Sequence, residues 1–166
     1  MVNDVSALSA PGALEALAAS KAAVCLMHMQ GEPGTMQADP RYGDVLAEVR
    51  GFLRSRVDAC LAAGIPRARV AVDPGFGFGK ALEHNLALLN GLSGIAADGQ
   101  PVLAGLSRKR LIGALTGRAE GERLAGSLAA AVVAAINGAR IIRAHDVRET
   151  VDALAVLAAS GALRDN

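Results

Sequence analysis

Aromatic side chains are scarce in this chain. They make up 2% of its 166 residues, with no tryptophan, one tyrosine and three phenylalanines, which removes the stacking platforms that single-stranded nucleic acids need. Charge of one sign is also lacking. Seventeen basic and 16 acidic residues leave a formal net charge of +1, so no basic surface for nucleic acid is expected. The longest unbroken apolar run, Leu128 to Ile136, falls well short of the ~20 residues that a membrane helix takes. Met1-Val2-Asn3-Asp4 has neither a basic start nor an apolar core, so it does not read as a signal peptide. Cys25 and Cys60 stand apart from each other and from any ligand-spaced histidine. They read as reduced, buried small hydrophobes of a cytoplasmic protein. No His, Cys and acid cluster has metal-ligand spacing, and no Ser-His-Asp order stands out.

What the chain does have is a hydrophobic content of 52%, enough for a sizeable core in one domain, residues 1–166. Apolar runs alternate with helical periodicity from end to end. Val2 to Val5 is a short strand-like start. Ser9 is placed to cap a helix from about Pro11 to Ser20. Ala22 to Met29, broken only by His28, fits a strand buried on both faces. Gln30 to Arg41 reads as a long loop. Val45, Val49, Phe52, Leu53, Val57 and Cys60 recur at helical spacing, and Gly64 can end that helix in a left-handed cap. A strand at Val70 to Val72, a helix near Leu82 to Leu92, a strand at Pro101 to Leu106 and a short helix at Lys109 to Leu115 follow. An Ala-rich helix, Leu124 to Asn137, is ended by Gly138, and Ala139 to Ile142 is the last strand. Asp146 with Glu149 has the pattern of a capping box opening the terminal helix, which runs to about Ser160. Repeating βα units predict an α/β fold with a parallel sheet. With about five strands visible, and a complete (β/α)8 barrel needing roughly 250 residues, the pattern by itself favours an open doubly wound sheet.

Three polar segments stand just past apolar runs. In Val72-Asp73-Pro74-Gly75-Phe76-Gly77-Phe78-Gly79-Lys80 an acid ends a strand and a loop with glycine at alternate positions follows. A lone strand-end Asp is more often a turn or capping acid. The glycines change that weighting, because they let backbone lie close to a flat ligand, while Phe76 and Phe78 add apolar faces. A carboxylate there can take two parallel hydrogen bonds from an amino-imino edge such as that of a pterin or guanine. The loop is not a P-loop, since no Lys-Ser/Thr pair follows the last glycine, and its spacing is not that of a dinucleotide fingerprint. Gly105-Leu106-Ser107-Arg108-Lys109-Arg110 brings three cations to the same presumed face. Arg143 and His145, two apart, can project together and suit an anionic phosphate ester. His28, between two methionines, reads as a structural histidine with no partner evident. Asp39, Asp44 and Glu48 read as solvated or capping acids.

Taken together, these segments resemble dihydropteroate synthase. Asn3-Asp4-Val5, Met27-His28-Met29-Gln30-Gly31, Thr35-Met36-Gln37, the Asp73 to Lys80 segment, Gly105 to Lys109 and Arg143-Ala144-His145-Asp146-Val147 match that family's motifs in order and spacing. The resemblance implies a TIM-type (β/α)8 barrel, here a partial barrel of about five parallel strands with flanking helices. It implies a transferase of folate biosynthesis that joins 6-hydroxymethyl-7,8-dihydropterin pyrophosphate to para-aminobenzoate, with magnesium. Carried over by position, Asp73 and Lys109 are the catalytic pair. Asn3, Val5, Met27, Asp73, Gly77, Phe78, Gly105 and Lys109 line the pterin slot, Ser107 meets the aminobenzoate, and Arg143 and His145 bind the pyrophosphate. No metal ligand is assigned within this chain.

The chain departs from the family by starting where the family's fourth strand starts, so its magnesium-coordinating Asn has no counterpart here. The expectation is therefore an inactive fragment when alone, with small-molecule substrates, no nucleic-acid or membrane partner, and a homodimer through the late helices. The alternative is a non-catalytic partial barrel that only binds a pterin or an anion, or pairs with another chain.

Overall fold

In the computed structural model, which describes residues 1–32 and 34–163, five parallel strands form one sheet. The last three residues of the expected domain, and Pro33 of the expected loop, lie outside the described residues. The strands are β1 (Val2–Asp4), β2 (Val24–Met27), β3 (Val70–Asp73), β4 (Val102–Ala104) and β5 (Ala139–Ile142), and they lie in chain order from edge to edge. That order corrects the doubly wound expectation. A doubly wound sheet reverses its strand order at a switch point. Here each crossover adds the next strand on the same side of the last, which is how a barrel is wound. Five such strands make a partial barrel.

The two faces of the sheet differ accordingly. Val24, Leu26, Val70, Val72, Val102 and Ala104 belong to one large core shared with helix residues such as Val49, Leu53, Leu88 and Ile95. Their alternates Cys25, Ala71 and Leu103, with Ile141 against them, form a separate small cluster. Successive side chains in a strand point to opposite faces, so helices cover one face and the other is the concave, barrel-interior face. The register Asn3↔Cys25↔Ala71 and Met27↔Asp73 continues that interior row to the strand ends.

The helices are α1 (Ala13–Ala19), α2 (Val45–Ala62), α3 (Leu82–Asn90), α4 (Leu92–Ala96), α5 (Arg110–Thr116), α6 (Leu124–Ile136) and α7 (Val147–Ala159). Asp44 caps α2 by accepting from the Ala47 N–H. Gly64, at φ +79°, closes its far end: the Gly64 N–H reaches the Leu61 carbonyl and the Ile65 N–H reaches that of Cys60, the Schellman arrangement. Two expected caps are not made. Helix α1 begins at Ala13 after a left-handed Gly12 rather than at Ser9. Asp146 accepts no cap bond at the start of α7, because its carboxylate is paired with Arg108. The helix expected near Leu82 to Leu92 breaks at Gly91 into α3 and α4. No helix among the described residues is long and apolar enough to cross a membrane.

Candidate active site

The carboxyl ends of the strands converge on the glycine loop. Asp73, the last residue of β3, is 1% exposed. Its Oδ1 accepts from the Gly75 N–H at 2.7 Å and its Oδ2 from the Arg143 guanidinium at 3.1 Å. A side chain that ends a strand and folds back on the second following N–H makes a tight turn, which sends the chain straight into the loop. Gly75, Gly77 and Gly79 all take positive φ. A Cβ on Gly75 would run into the His28 carbonyl, and one on Gly79 into that of Gln30. The loop therefore rests on the segment after β2 with no room for side chains.

Two lysines hold this loop. Lys80, 3% exposed, donates to the carbonyls of Gly75 and Phe78 at 3.0 Å each and approaches His28 Nδ1 at 3.0 Å. An ammonium has three donors and no acceptor, so toward the charged form of Lys80 the His28 Nδ1 is an acceptor. Burial pushes Lys80 down to about 7. Burial, and then the Lys80 charge, pushes His28 down to about 4. Lys109 donates to the Phe76 carbonyl and lies 4.8 Å over the Phe78 ring. Burial lowers it to about 8, with Asp73 opposing and Arg143 reinforcing that shift.

The remaining expected residues fall as follows. Asn3, the middle residue of β1, accepts from Arg143 at 3.0 Å. Gly105 lies against the same guanidinium, which a Cβ there would have to push aside. Met27 is fully buried beside Asp73 in register. Val5 is 40% exposed. Ser107 Oγ meets both the backbone N–H and Nδ1 of His145, at 3.2 and 3.1 Å. Arg143 is thus on Asp73 and Asn3, while His145 is on Ser107. Of the basic run, Arg108 is taken up by Asp146 and Arg110 is exposed. Beside the glycine loop opens a cavity of about 580 Å³, lined by Gly77, Phe78, Lys109, Ser107 and His145 among others.

Sequence reasoning missed four residues that shape the loop. Besides Lys80, Asn85 accepts from the Gly77 N–H at 2.7 Å, Gln37 donates to the Gly77 carbonyl, and Tyr42 donates to that of Gly79 at 2.9 Å. Asn85 carried a signal: it is a polar residue three positions after Leu82, on the apolar stripe of α3. Gln37 and Tyr42 reach the loop from 40 and 37 residues away, and Lys80, local to its loop carbonyls, meets His28 across 52; local pattern holds no trace of those long contacts.

Among the described residues no three His, Cys, Asp or Glu side chains cluster as metal ligands. Asp73 is already engaged by Gly75 and Arg143. The described residues do not make up a magnesium site. Cys25 lies against this centre, fully buried. Burial pushes its thiol up to about 12, the Asp73 charge adding and Arg143 opposing. Cys25 is expected to stay unmodified by a thiol reagent at about pH 8 until the chain unfolds; stoichiometric labelling of the folded chain would contradict that burial.

The family model described as pterin binding enzyme matches residues 1–145. Dihydropteroate synthase from Escherichia coli (strain K12) is 50% identical over 166 residues, covering 100% of this chain and 59% of the relative. The solved structure of dihydropteroate synthase from Stenotrophomonas maltophilia, with active site-bound imidazole, is 52% identical with a TM-score of 0.94, covering 99% of this chain and 63% of its own. That from Xanthomonas albilineans, in complex with 7,8-dihydropteroate, is 50% identical with a TM-score of 0.91, covering 99% and 62%. The chain spans about three-fifths of the length of these relatives.

Proposed function

This chain belongs to the pterin-binding enzyme family, and from that membership we propose that it carries the pterin- and diphosphate-facing part of a dihydropteroate synthase. One observation supports this most: a carboxylate only 1% exposed at a strand end already accepts one N–H of a planar N–C–N fork, the guanidinium of Arg143, whose other arm goes to Asn3. The amino-imino edge of a pterin has the same donors in the same plane. In this reading Asp73 takes that edge, Asn3 a further ring nitrogen, and Lys109 the ring's oxygen side. Met27, Val5, Gly77, Phe78 and Gly105 line the slot. Ser107 meets para-aminobenzoate, and Arg143 with His145 receives the diphosphate.

The reaction proposed is a substitution at the pterin methylene. The carbon–oxygen bond to diphosphate breaks, the aniline nitrogen forms the new bond and releases a proton, and 7,8-dihydropteroate and pyrophosphate result. The negative charge grows on the leaving diphosphate, so cations placed beforehand stabilise the transition state more than any base does. Lys109, at about 8, remains mostly a cation at neutral pH. Magnesium would accompany the diphosphate as its counter-ion. The 166-residue chain alone is expected to give no condensation above blank in a coupled assay.

Isothermal calorimetry with 6-hydroxymethyl-dihydropterin diphosphate tests the slot. Replacing Asp73 by Asn removes the charge from two hydrogen bonds of roughly 1.5–3 kcal/mol each, so Asp73→Asn is expected to bind at least ~100-fold more weakly. Unchanged affinity in that variant would remove Asp73 from the role.

Two further parts of the proposal concern assembly and place. Val133 and Ile136 on α6, with Val147, Val151 and Val156 on α7, leave apolar side chains exposed, which supports a homodimer through these helices. The free thiols of Cys25 and Cys60 support a reducing, cytoplasmic setting.

A further inference from the structure

Arg143 stands one residue past β5, and its guanidinium lies in the slot itself. It donates from Nη1 to Asn3 and from Nη2 to Asp73, at 3.0 and 3.1 Å, and lies close against Gly105. These are the two side chains and the floor assigned above to the heterocycle. A guanidinium and an amino-imino ring edge present the same pair of in-plane N–H donors on one carbon. A Cβ on Gly105 would come within 3.0 Å of the guanidinium atoms Nη2, Cζ and Nε, and a ring edge on Asp73 and Asn3 would have to take the place that Arg143 holds there. The Arg143 side chain is 40% exposed while Asp73 is 1% exposed, so the arginine is free to turn outward and the carboxylate is not.

We propose that Arg143 determines specificity for the phosphorylated substrate by standing in for the pterin edge on Asp73 until an anion draws it away. The proposal rests on the reading of this slot as a pterin site. A neutral heterocycle that displaced Arg143 would cost a buried carboxylate its ion-pair partner, leaving Lys80 and Lys109 to act on it without direct contact. A heterocycle carrying a phosphate ester gives the displaced guanidinium a new anionic partner. Other cations nearby are already engaged: Arg108 with Asp146, and Lys109 with the Phe76 carbonyl. The slot is therefore closed to the bare ring for the fraction of time that Arg143 occupies it, and apparent affinity falls by that fraction.

The test compares bare 6-hydroxymethylpterin with its diphosphate ester on the wild-type chain, Arg143→Ala, Arg143→Lys and Asp73→Asn. Arg143→Ala is expected to bind the bare pterin about fivefold or more tighter than wild type, and the diphosphate more weakly. Saturating inorganic pyrophosphate is expected to raise bare-pterin affinity in wild type and leave Arg143→Ala unchanged. Arg143→Lys keeps a cation by Asp73 without the planar fork, so it guards against a folding defect and should fall between the two. If the bare pterin binds Arg143→Ala no tighter than wild type, Arg143 is an anion contact only and the proposal is overturned. Asp73→Asn separates the levels: loss of binding there leaves the slot reading standing whatever Arg143 does. Undiminished binding in Asp73→Asn, or no binding by any variant, overturns both. Nuclear magnetic resonance of the Arg143 guanidinium gives a ligand-free check. Its rotation should be slowed in the free chain and released by pyrophosphate, and a freely rotating guanidinium in the free chain overturns the latch.

Discussion

Gly75→Ala is expected to lower the melting temperature by roughly 10 °C or more, while Gly117→Ala lowers it by ~2–8 °C. Both glycines sit in the left-handed region, at φ +70° and +71°. The conformational penalty for alanine, about 1–2 kcal/mol, is therefore common to them. Their surroundings differ. Nothing lies within 4 Å of a Cβ on Gly117, whereas a Cβ on Gly75 overlaps the backbone carbonyl of His28. No rotamer change relieves a clash between two backbones. Either the loop or the end of β2 must move, and either movement pulls the Gly75 carbonyl from Lys80 and the Gly75 N–H from Asp73. Buried hydrogen-bonding groups left unpaired cost about 1–3 kcal/mol each, which brings the total to roughly 4 kcal/mol or more. At ~2–4 °C per kcal/mol for a chain of this size, the two melting curves should separate clearly. Equal shifts would mean that the loop has slack, and the same loop could not then hold a ring slot to fixed dimensions. Pterin binding should fall in Gly75→Ala and persist in Gly117→Ala.

The sequence reads well where chemistry is local. Asp73 at a strand end and the alternating glycines stand next to one another in the chain, and each carries its reason on its face: a charge at the end of an apolar run, and backbone freedom with no side chain. Helix α2 was equally plain, since its buried stripe and both its ends are written within 21 residues, from Asp44 to Gly64. Strand order was not legible. Alternating β and α segments fit a doubly wound sheet and a barrel alike, and only the position of each new strand relative to the last decides between them. Asp146 shows the same limit for a single residue. Its spacing to Glu149 satisfies the capping pattern, yet Arg108, 38 residues away, takes the carboxylate. Arg143 is the sharpest case. Its distance of two from His145 suggests one shared anion site, but its partners Asp73 and Asn3 lie 70 and 140 residues off. A guanidinium is drawn to a buried carboxylate more strongly than to solvent, and local spacing cannot record that competition.

Between about pH 6.5 and pH 4 the wild-type chain is expected to lose roughly 3 kcal/mol of stability that a His28→Asn variant does not lose. The imidazole of His28 is buried, with the Phe52 ring edge-on at 5.0 Å and Tyr42 at 6.2 Å. Its Nδ1 faces the Lys80 ammonium at 3.0 Å, so a proton arriving there meets a like charge, which a backbone hydrogen bond at His28 only partly offsets. Burial first, and Lys80 second, hold it near 4 against an ordinary 6.5. The unfolded chain accordingly takes up this proton near 6.5, while the folded chain resists it until about 4. Over that interval the unfolded state binds more protons, so stability falls as pH falls. Lys80, pushed down to about 7, obeys the same sign but acts between about 7 and 10.5, outside the acid window. Asparagine at position 28 offers Lys80 an acceptor oxygen that does not titrate, and the carboxylates common to both proteins cancel in the difference. Urea titrations of the two proteins at pH 7, 6, 5 and 4 should therefore diverge steadily toward acid. A flat difference across those four points would show that the imidazole is wetter than its neighbours imply. Lys80 would then lack the neutral partner through which it braces the glycine loop.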